Sequence, residues 1–395
     1  MKINELVKQQ TEVLRGWWYS CDPDRFCQSN DYLIDKKLAN EEKLSSMLEW
    51  LGEQLDHREM DGSRQEKLSI EATNRMKMLG RDVLGFTDEQ LNCFEELGIT
   101  KSLEGFYRQA RAFDPAISES DIFQAGRNVW TANYLQALLD IPVQLTPSIF
   151  AYSMLYPLSD NYLDDPNRSR AEKAGFNQRF RARLGGDAVM PLNKHEENIF
   201  ALIQMTENQY AREKFPQVYD SLMAIHEAQD KSMRLPDAPV EPNAVDVVGI
   251  TFEKGGTSVL ADGVLAAGEL SEDHARIIFN YGAFAQLMGD QEDIDKDLKD
   301  RSITLFTEAA RAGKIDKTMN RVFCFAGQVL KGLDQFENER VRPLKQSSLK
   351  GIDLLLIDAA LRTEKYYSRR YLEQLEVHFP FRFKYMKKVR EKIKK

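Results

Sequence analysis

Two aspartate-rich runs carry most of the chemistry this chain could do. The first reads Ser-Asp-Asn-Tyr-Leu-Asp-Asp-Pro and holds Asp160, Asp164 and Asp165. The second reads Gln-Leu-Met-Gly-Asp-Gln-Glu-Asp-Ile-Asp-Lys-Asp and holds Gln286, Asp290, Glu292, Asp293, Asp295 and Asp297. Wound as an α-helix, the first run puts Asp160 and Asp164 one turn apart and within about 40° of each other. Tyr156 falls on the same stripe one turn earlier, and Phe150 and Tyr152 flank it. In the second run Gln286, Asp290, Asp293 and Asp297 span about 60° of arc, directly beside Leu287, Ile294 and Leu298. Both sets of acids therefore border a buried face, whereas a solvated face more often lies opposite the apolar stripe. Like charges four residues apart cost a helix roughly 0.2–0.5 kcal/mol per pair. No lysine shares either acidic stripe, and Arg301, one turn beyond Asp297, is the sole basic neighbour. A divalent cation would remove the repulsion. Mg²⁺ takes oxygen ligands, keeps several waters, and combines one or two carboxylates with phosphate oxygens. Two such pairs facing across a cavity would hold several Mg²⁺ ions around a diphosphate and stabilise the charge that develops as it leaves. The competing reading is a pair of solvated acidic surfaces with no ligand.

Helices must position these residues. Apolar residues recur three and four apart along most of the chain, and Gly (22) and Pro (13) are too few to interrupt that pattern often; the expected fold class is all-α. A helix is predicted from Ser118 or Ser120 to Leu139, stopped by Asp140-Ile141-Pro142. The next begins with Thr146 as N-cap and Pro147 at the first helical position. It runs through Leu163, kinks at Pro157 and ends at Pro166. Residues 184–193 read as a loop, and helices follow over 194–213 and 216–232. The three prolines of 234–246 mark a connection. Two helices come next, 247–268, containing Gly255-Gly256, and 272–299, capped by Ser271 with Glu272 and Asp273 in its first turn. Further helices are predicted over 304–312, 316–340 and 351–377. Before all of these, segments 40–56, 64–82 and 87–96 are predicted helical, so residues 1–115 read as an additional N-terminal helical region ahead of a second region, 116–395, that holds both acidic runs.

Charge and cysteine usage exclude other classes. Lys+Arg total 54 against 62 for Asp+Glu, a net −8, and no stretch is basic enough to make nucleic acid the main partner. The four cysteines form no CxxC pair, and five scattered histidines complete neither a zinc set nor a visible Ser-His-Asp triad. No apolar run approaches the ~18–20 residues that span a bilayer, and the N-terminus lacks a signal-peptide core. The expectation is a cytoplasmic protein with reduced thiols and no transmembrane segment.

The paired motifs resemble those of the class I isoprenoid synthases. That family is all-α, with two acid-rich motifs on opposing helices that bind a Mg²⁺ cluster and a prenyl diphosphate. Asp160-Asn-Tyr-Leu-Asp164-Asp165 is similar to the DxxxDD form of squalene and phytoene synthases, and differs from the DDxxD of chain-elongating prenyltransferases at Asn161. The second motif, from Gln286 through Asp293 and Asp297 to Arg301, is similar to QxxNxxRDxxxD, with Gly289 in place of the Asn and Glu292 in place of the Arg. It is not a clean NSE triad of the terpene cyclases. The resemblance, which covers roughly residues 118–375, implies a helical bundle around a central cavity. It implies Mg²⁺ (or Mn²⁺) on Asp160, Asp164, Asp293 and Asp297, with Asp165 and Asp290 as further ligands. It also implies a helix break at Gly255-Gly256 that bares carbonyls towards a cation, with Lys254 reaching the diphosphate. Arg168 and Arg170 would assist at the diphosphate, the Arg370-Tyr371 pair would close over it, and Tyr152, Tyr156 and Phe150 would line the cavity and stabilise carbocations. The function so implied is a Mg²⁺-dependent terpene synthase that ionises one prenyl diphosphate, with a homodimer among the expected states. Head-to-head condensation of two prenyl diphosphates is the alternative, and a non-catalytic helical binder or scaffold is the alternative from another class.

Overall fold

A computed structural model describes residues 1–26, 31–55, 62–165, 167–233 and 246–393, with side chains left undescribed at 55, 62–67 and 164. Cys27, Pro166 and nearly all of the predicted connection 234–246 lie outside the described residues. Among those described there is no strand, and the fold is all-α as expected. The first helices are α1 (Ile3–Ser20), α2 (Ile34–Leu55), α3 (Gly62–Leu84), α4 (Asp88–Glu96), α5 (Ile99–Phe113) and α6 (Glu119–Leu138). Next come α7 (Pro147–Asp164), α8 (Arg170–Gly185), α9 (Lys194–Gln209), α10 (Pro216–Met233), α11 (Val247–Ala267) and α12 (Glu272–Glu292). The remainder are α13 (Ile294–Lys299), α14 (Leu305–Ala312), α15 (Asp316–Lys331), α16 (Arg342–Arg362), α17 (Arg369–Val377) and α18 (Phe383–Ile393). None is long and apolar enough to cross a membrane, among the described residues.

Packing divides the chain into two units, at places other than the expected boundary near residue 115. The first unit comprises Met1–Asp22, Glu95–Glu308 and Cys324–Val341; the second comprises Pro23–Phe94, Ala309–Phe323 and Arg342–Lys395. The N-terminal stretch is thus not one region. In the first unit α1 packs on α10, α11 and α12. Gln10 donates to Asn280 at 2.8 Å inside this contact, and Trp18 meets Phe252 and Phe325 edge-on. Arg15 forms a bidentate pair with Asp246 at 2.5 Å, while the same carboxylate caps α11 by accepting from the Gly249 amide.

The second unit is tied by its own polar contacts. Glu41 receives a bidentate pair from Arg382, and Asn40 donates to the Pro380 carbonyl.

Local chemistry explains most helix starts. Ser118 caps α6, Thr146 with Pro147 opens α7, and Ser271 caps α12, each accepting from an amide three residues on. Such caps are worth about 1 kcal/mol each. The helix α11 is buried nearly all round, as a continuously apolar segment must be. The predicted break at Gly255-Gly256 does not occur. A Cβ on Gly255 would collide with the Gly282 carbonyl and with Gln286, and one on Gly256 would collide with the Phe279 ring. The two glycines let α11 and α12 touch backbone to backbone, and so their carbonyls stay within the helix.

The thiol expectation is corrected as well. Cys21 and Cys324 form a disulfide in the first unit, with Cα atoms 5.8 Å apart and 303 residues between them in sequence, a separation that hides the pairing from any reading of spacing. Cys93 is buried.

Candidate active site

A cavity of about 610 Å³ opens among α5, α6, α7, α8, α10, α11 and α12 of the first unit. That lies in the usual range for a small-molecule site, about 300–1,000 Å³. Its walls are largely apolar and aromatic, including Tyr107, Phe123, Trp130, Phe180 and Tyr281. Tyr134 stacks between Trp130 and Tyr281 and holds both in place.

Among the sequence-predicted residues, Asp160, Tyr152, Tyr156 and Lys254 all line this cavity, together with Gln286 of the second motif. Tyr152 is buried and donates its hydroxyl to the Ser258 carbonyl at 3.1 Å; burial and Asp262 push the phenol well up. The Tyr156 hydroxyl is also pushed up, by burial and by Asp160, while Lys254 pulls the other way. Asp160 accepts from Gln229 of α10 at 3.3 Å.

The second acidic motif reaches the cavity through Gln286. The Gln286 amide donates to Asp290 at 2.7 Å. Burial of Asp290 pushes its carboxyl up to about 7, against the pull of Gln286 and Lys254. Asp297 is pushed up to about 6, first by burial and then by Asp293. Lys254 acts electrostatically on Tyr156, Asp290 and Asp297 alike, opposing the rise of each.

The second motif does not lie on one continuous helix, contrary to expectation. The helix α12 ends at Glu292, Asp293 sits at φ −96°, ψ 10°, and α13 restarts at Ile294. Asp293 is exposed at this junction, and the common arc drawn through Asp290, Asp293 and Asp297 breaks there. Asp164 closes α7, but its side chain lies outside the described residues.

Other expected residues go elsewhere. Asp165 turns from the helix end to pair with Arg168 at 3.5 Å and to accept from the Asn167 amide. Arg168 stacks over Tyr162 at 3.9 Å. Both border a separate, smaller hollow with Asp121, Asn161 and His195. Phe150 is core, packed on Phe106 and Phe113. Gly255 and Gly256 serve helix packing, as described above. Arg170 is exposed in the first turn of α8. Arg370 and Tyr371 belong to the second unit, where Arg370 is exposed. Tyr371 is buried there, and its hydroxyl donates to Asn320 at 2.8 Å.

Several cavity residues had no place in the sequence reading. The helix α8 contributes Asn177, Phe180 and Leu184, and α10 contributes Leu222, Ile225, His226 and Gln229. The signal for α8 was present in Ser169-x-x-Glu172, which forms a reciprocal capping box. Behind the wall, Asp262 is fully buried and accepts from the cavity-lining Asn128 at 3.0 Å.

The acidic side chains of the two motifs offer oxygen donors, the kind a hard cation takes, and Asp290 and Asp297 are held above the ordinary carboxylate range first by burial and then by neighbouring carboxylates. Among the described residues no three His, Cys, Asp or Glu side chains converge as a ready-made metal site. Mg²⁺ held by one or two carboxylates and completed by phosphate oxygens does not need such a site. A scan against protein-family models finds none that matches the chain, and a search of the curated proteins returns no match.

Proposed function

We propose that the chain is a Mg²⁺-dependent class I terpene synthase that ionises a prenyl diphosphate in this cavity. The observation that carries the reading is the joining of Asp160, Lys254 and Gln286 on the wall of one aromatic cavity, with Asp290 bound to Gln286 and Asp297 within the field of Lys254. Asp160 on α7, with Asp290, Asp293 and Asp297 at the end of α12 and the start of α13, would hold Mg²⁺. When bound, the metal neutralises the departing diphosphate. Lys254 adds a positive charge on the cavity wall for the same anion. The faces of Tyr156, Trp130 and Tyr281 offer π-density to an allylic cation, and the apolar wall keeps water from it.

Incubation with geranyl, farnesyl and geranylgeranyl diphosphates and Mg²⁺, followed by mass spectrometry, tests the proposal. A hydrocarbon built from one substrate is the expected product. A doubled carbon skeleton would move the assignment to head-to-head condensation. If none of the three loses its diphosphate, the cavity belongs to a binder or scaffold. Asp160→Ala should cut turnover by at least about 100-fold, the scale on which loss of electrostatic stabilisation is felt, while the fold is kept. Near-parental turnover in that variant would remove Asp160 from the chemistry.

A further inference from the structure

His226, on α10, lines the cavity and is 7% exposed. Buried histidines ordinarily spend both ring nitrogens on hydrogen bonds. Here neither nitrogen completes one. The Asn177 backbone carbonyl acts on the ring as an acceptor without reaching hydrogen-bond geometry, which favours the proton on the nitrogen facing it and leaves the lone pair on the other. The ring is held edge-on by Phe180, with centroids 5.3 Å apart. Burial and Arg181 of α8 keep the imidazole neutral by pulling its pKa down, and Asp230 and Glu227 of α10 oppose this only in part.

The cavity therefore contains an imidazole held neutral chiefly by burial, with no hydrogen bond completed at either nitrogen and with Asp160 and Gln286 elsewhere on the same wall. A carbocation formed there must end either by capture of water or by loss of a proton. The aromatic wall disfavours the first, and a free imidazole lone pair provides for the second.

We propose that His226 ends the reaction by deprotonation. Its unprotonated nitrogen takes a proton from a carbon next to the cationic centre, and the C–H electron pair becomes the new C=C bond. The imidazolium then returns its proton to water as the product leaves. The product class is thus an olefin and not an alcohol. This inference rests on the reading of the cavity as a site of prenyl diphosphate ionisation.

The test separates ionisation from termination. The purified full chain and the variants His226→Phe and His226→Asn are given the three prenyl diphosphates and Mg²⁺. Diphosphate release and product identity are then measured together. Release should stay within about threefold of the parent in both variants, because the ionising groups are untouched, while the olefin share falls in favour of alcohols or other isomers. Melting temperatures verify folding, and His226→Gln replaces any variant that fails. The same olefins in the same proportions from the folded variants overturn the role of His226 alone. An alcohol as the parent's main product does the same. Absence of diphosphate release by the parent overturns this role together with the reading beneath it.

Discussion

Asp262 shows how a single residue can report on the wall behind the site. It interrupts an apolar run, Val-Leu-Ala-Asp-Gly-Val-Leu, and is 1% exposed. Asn128 donates to one carboxyl oxygen, and the other has no partner. Burial pushes this carboxyl well above its ordinary range, so the folded protein holds a proton that the unfolded chain releases near pH ~3.9. Between those two points the unfolded state binds fewer protons, and stability must fall as pH rises. Asp262→Asn keeps an acceptor for Asn128 and cannot ionise. Its advantage over the parent should grow with pH, by about 1.4 kcal/mol per unit within the window. Urea denaturation at pH 5 and pH 8 measures this. An equal gap at both values would mean that the carboxyl ionises freely in the folded protein. Because Asn128 lines the cavity, the same substitution tests whether this buried pair fixes the wall.

At the scale of elements, the contact between α11 and α12 places Lys254 and Gln286 together, and glycine makes that contact. A Cβ on Gly282 would collide with the Gly255 carbonyl and crowd Val259, and a backbone oxygen cannot move aside as a flexible side chain can. Gly282→Ala should cost about 1–3 kcal/mol, the usual range for overpacking, and should lower activity by parting the two side chains. Gly327→Ala, where an added Cβ meets nothing within 4 Å, should be neutral or gain up to about 1 kcal/mol. Equal losses in denaturant midpoint for the two would refute the packing role. This contact also marks the limit of what was legible beforehand. Thr146-Pro147 and Ser271 announce their helices because a cap acts within one turn. Gly255-Gly256 reads as a break because its counterpart, Gly282, sits on the next helix and pattern along one segment cannot see it. On α7, which runs unbroken through them, Asp160, Tyr152 and Tyr156 line one cavity while Phe150 of the same wheel packs into the core. The wheel of the second motif fails beyond Glu292, where α12 stops and Asp293 leaves helical geometry. His226 stayed invisible for a different reason. A lone histidine on a helix has no spacing signal, and its lack of partners appears only once α8 and α10 are packed.

At the scale of the whole molecule, the residues assigned to the diphosphate all belong to the first unit, while Arg370 and Tyr371 belong to the second. A ligand that binds only the folded form raises stability by mass action, by about 2.7 kcal/mol at a hundred times its dissociation constant. The acidic motifs set conditions on that ligand. Diphosphate alone meets carboxylate charge at Asp160, Asp293 and Asp297, and Mg²⁺ alone lacks the phosphate oxygens that complete its shell. The two together should therefore raise the melting temperature of the parent clearly more than the sum of their separate effects. The change should reside in the first unit, so that two resolved calorimetric transitions would respond unequally. Asp297→Asn should weaken this joint shift, because it removes one carboxylate of the crowded set. Its effect should be largest when Mg²⁺ is limiting. A joint shift no greater than the sum, or one that Asp160→Asn and Asp297→Asn both leave intact, would make the two aspartate runs solvated surface and would return the cavity to a ligand of another kind.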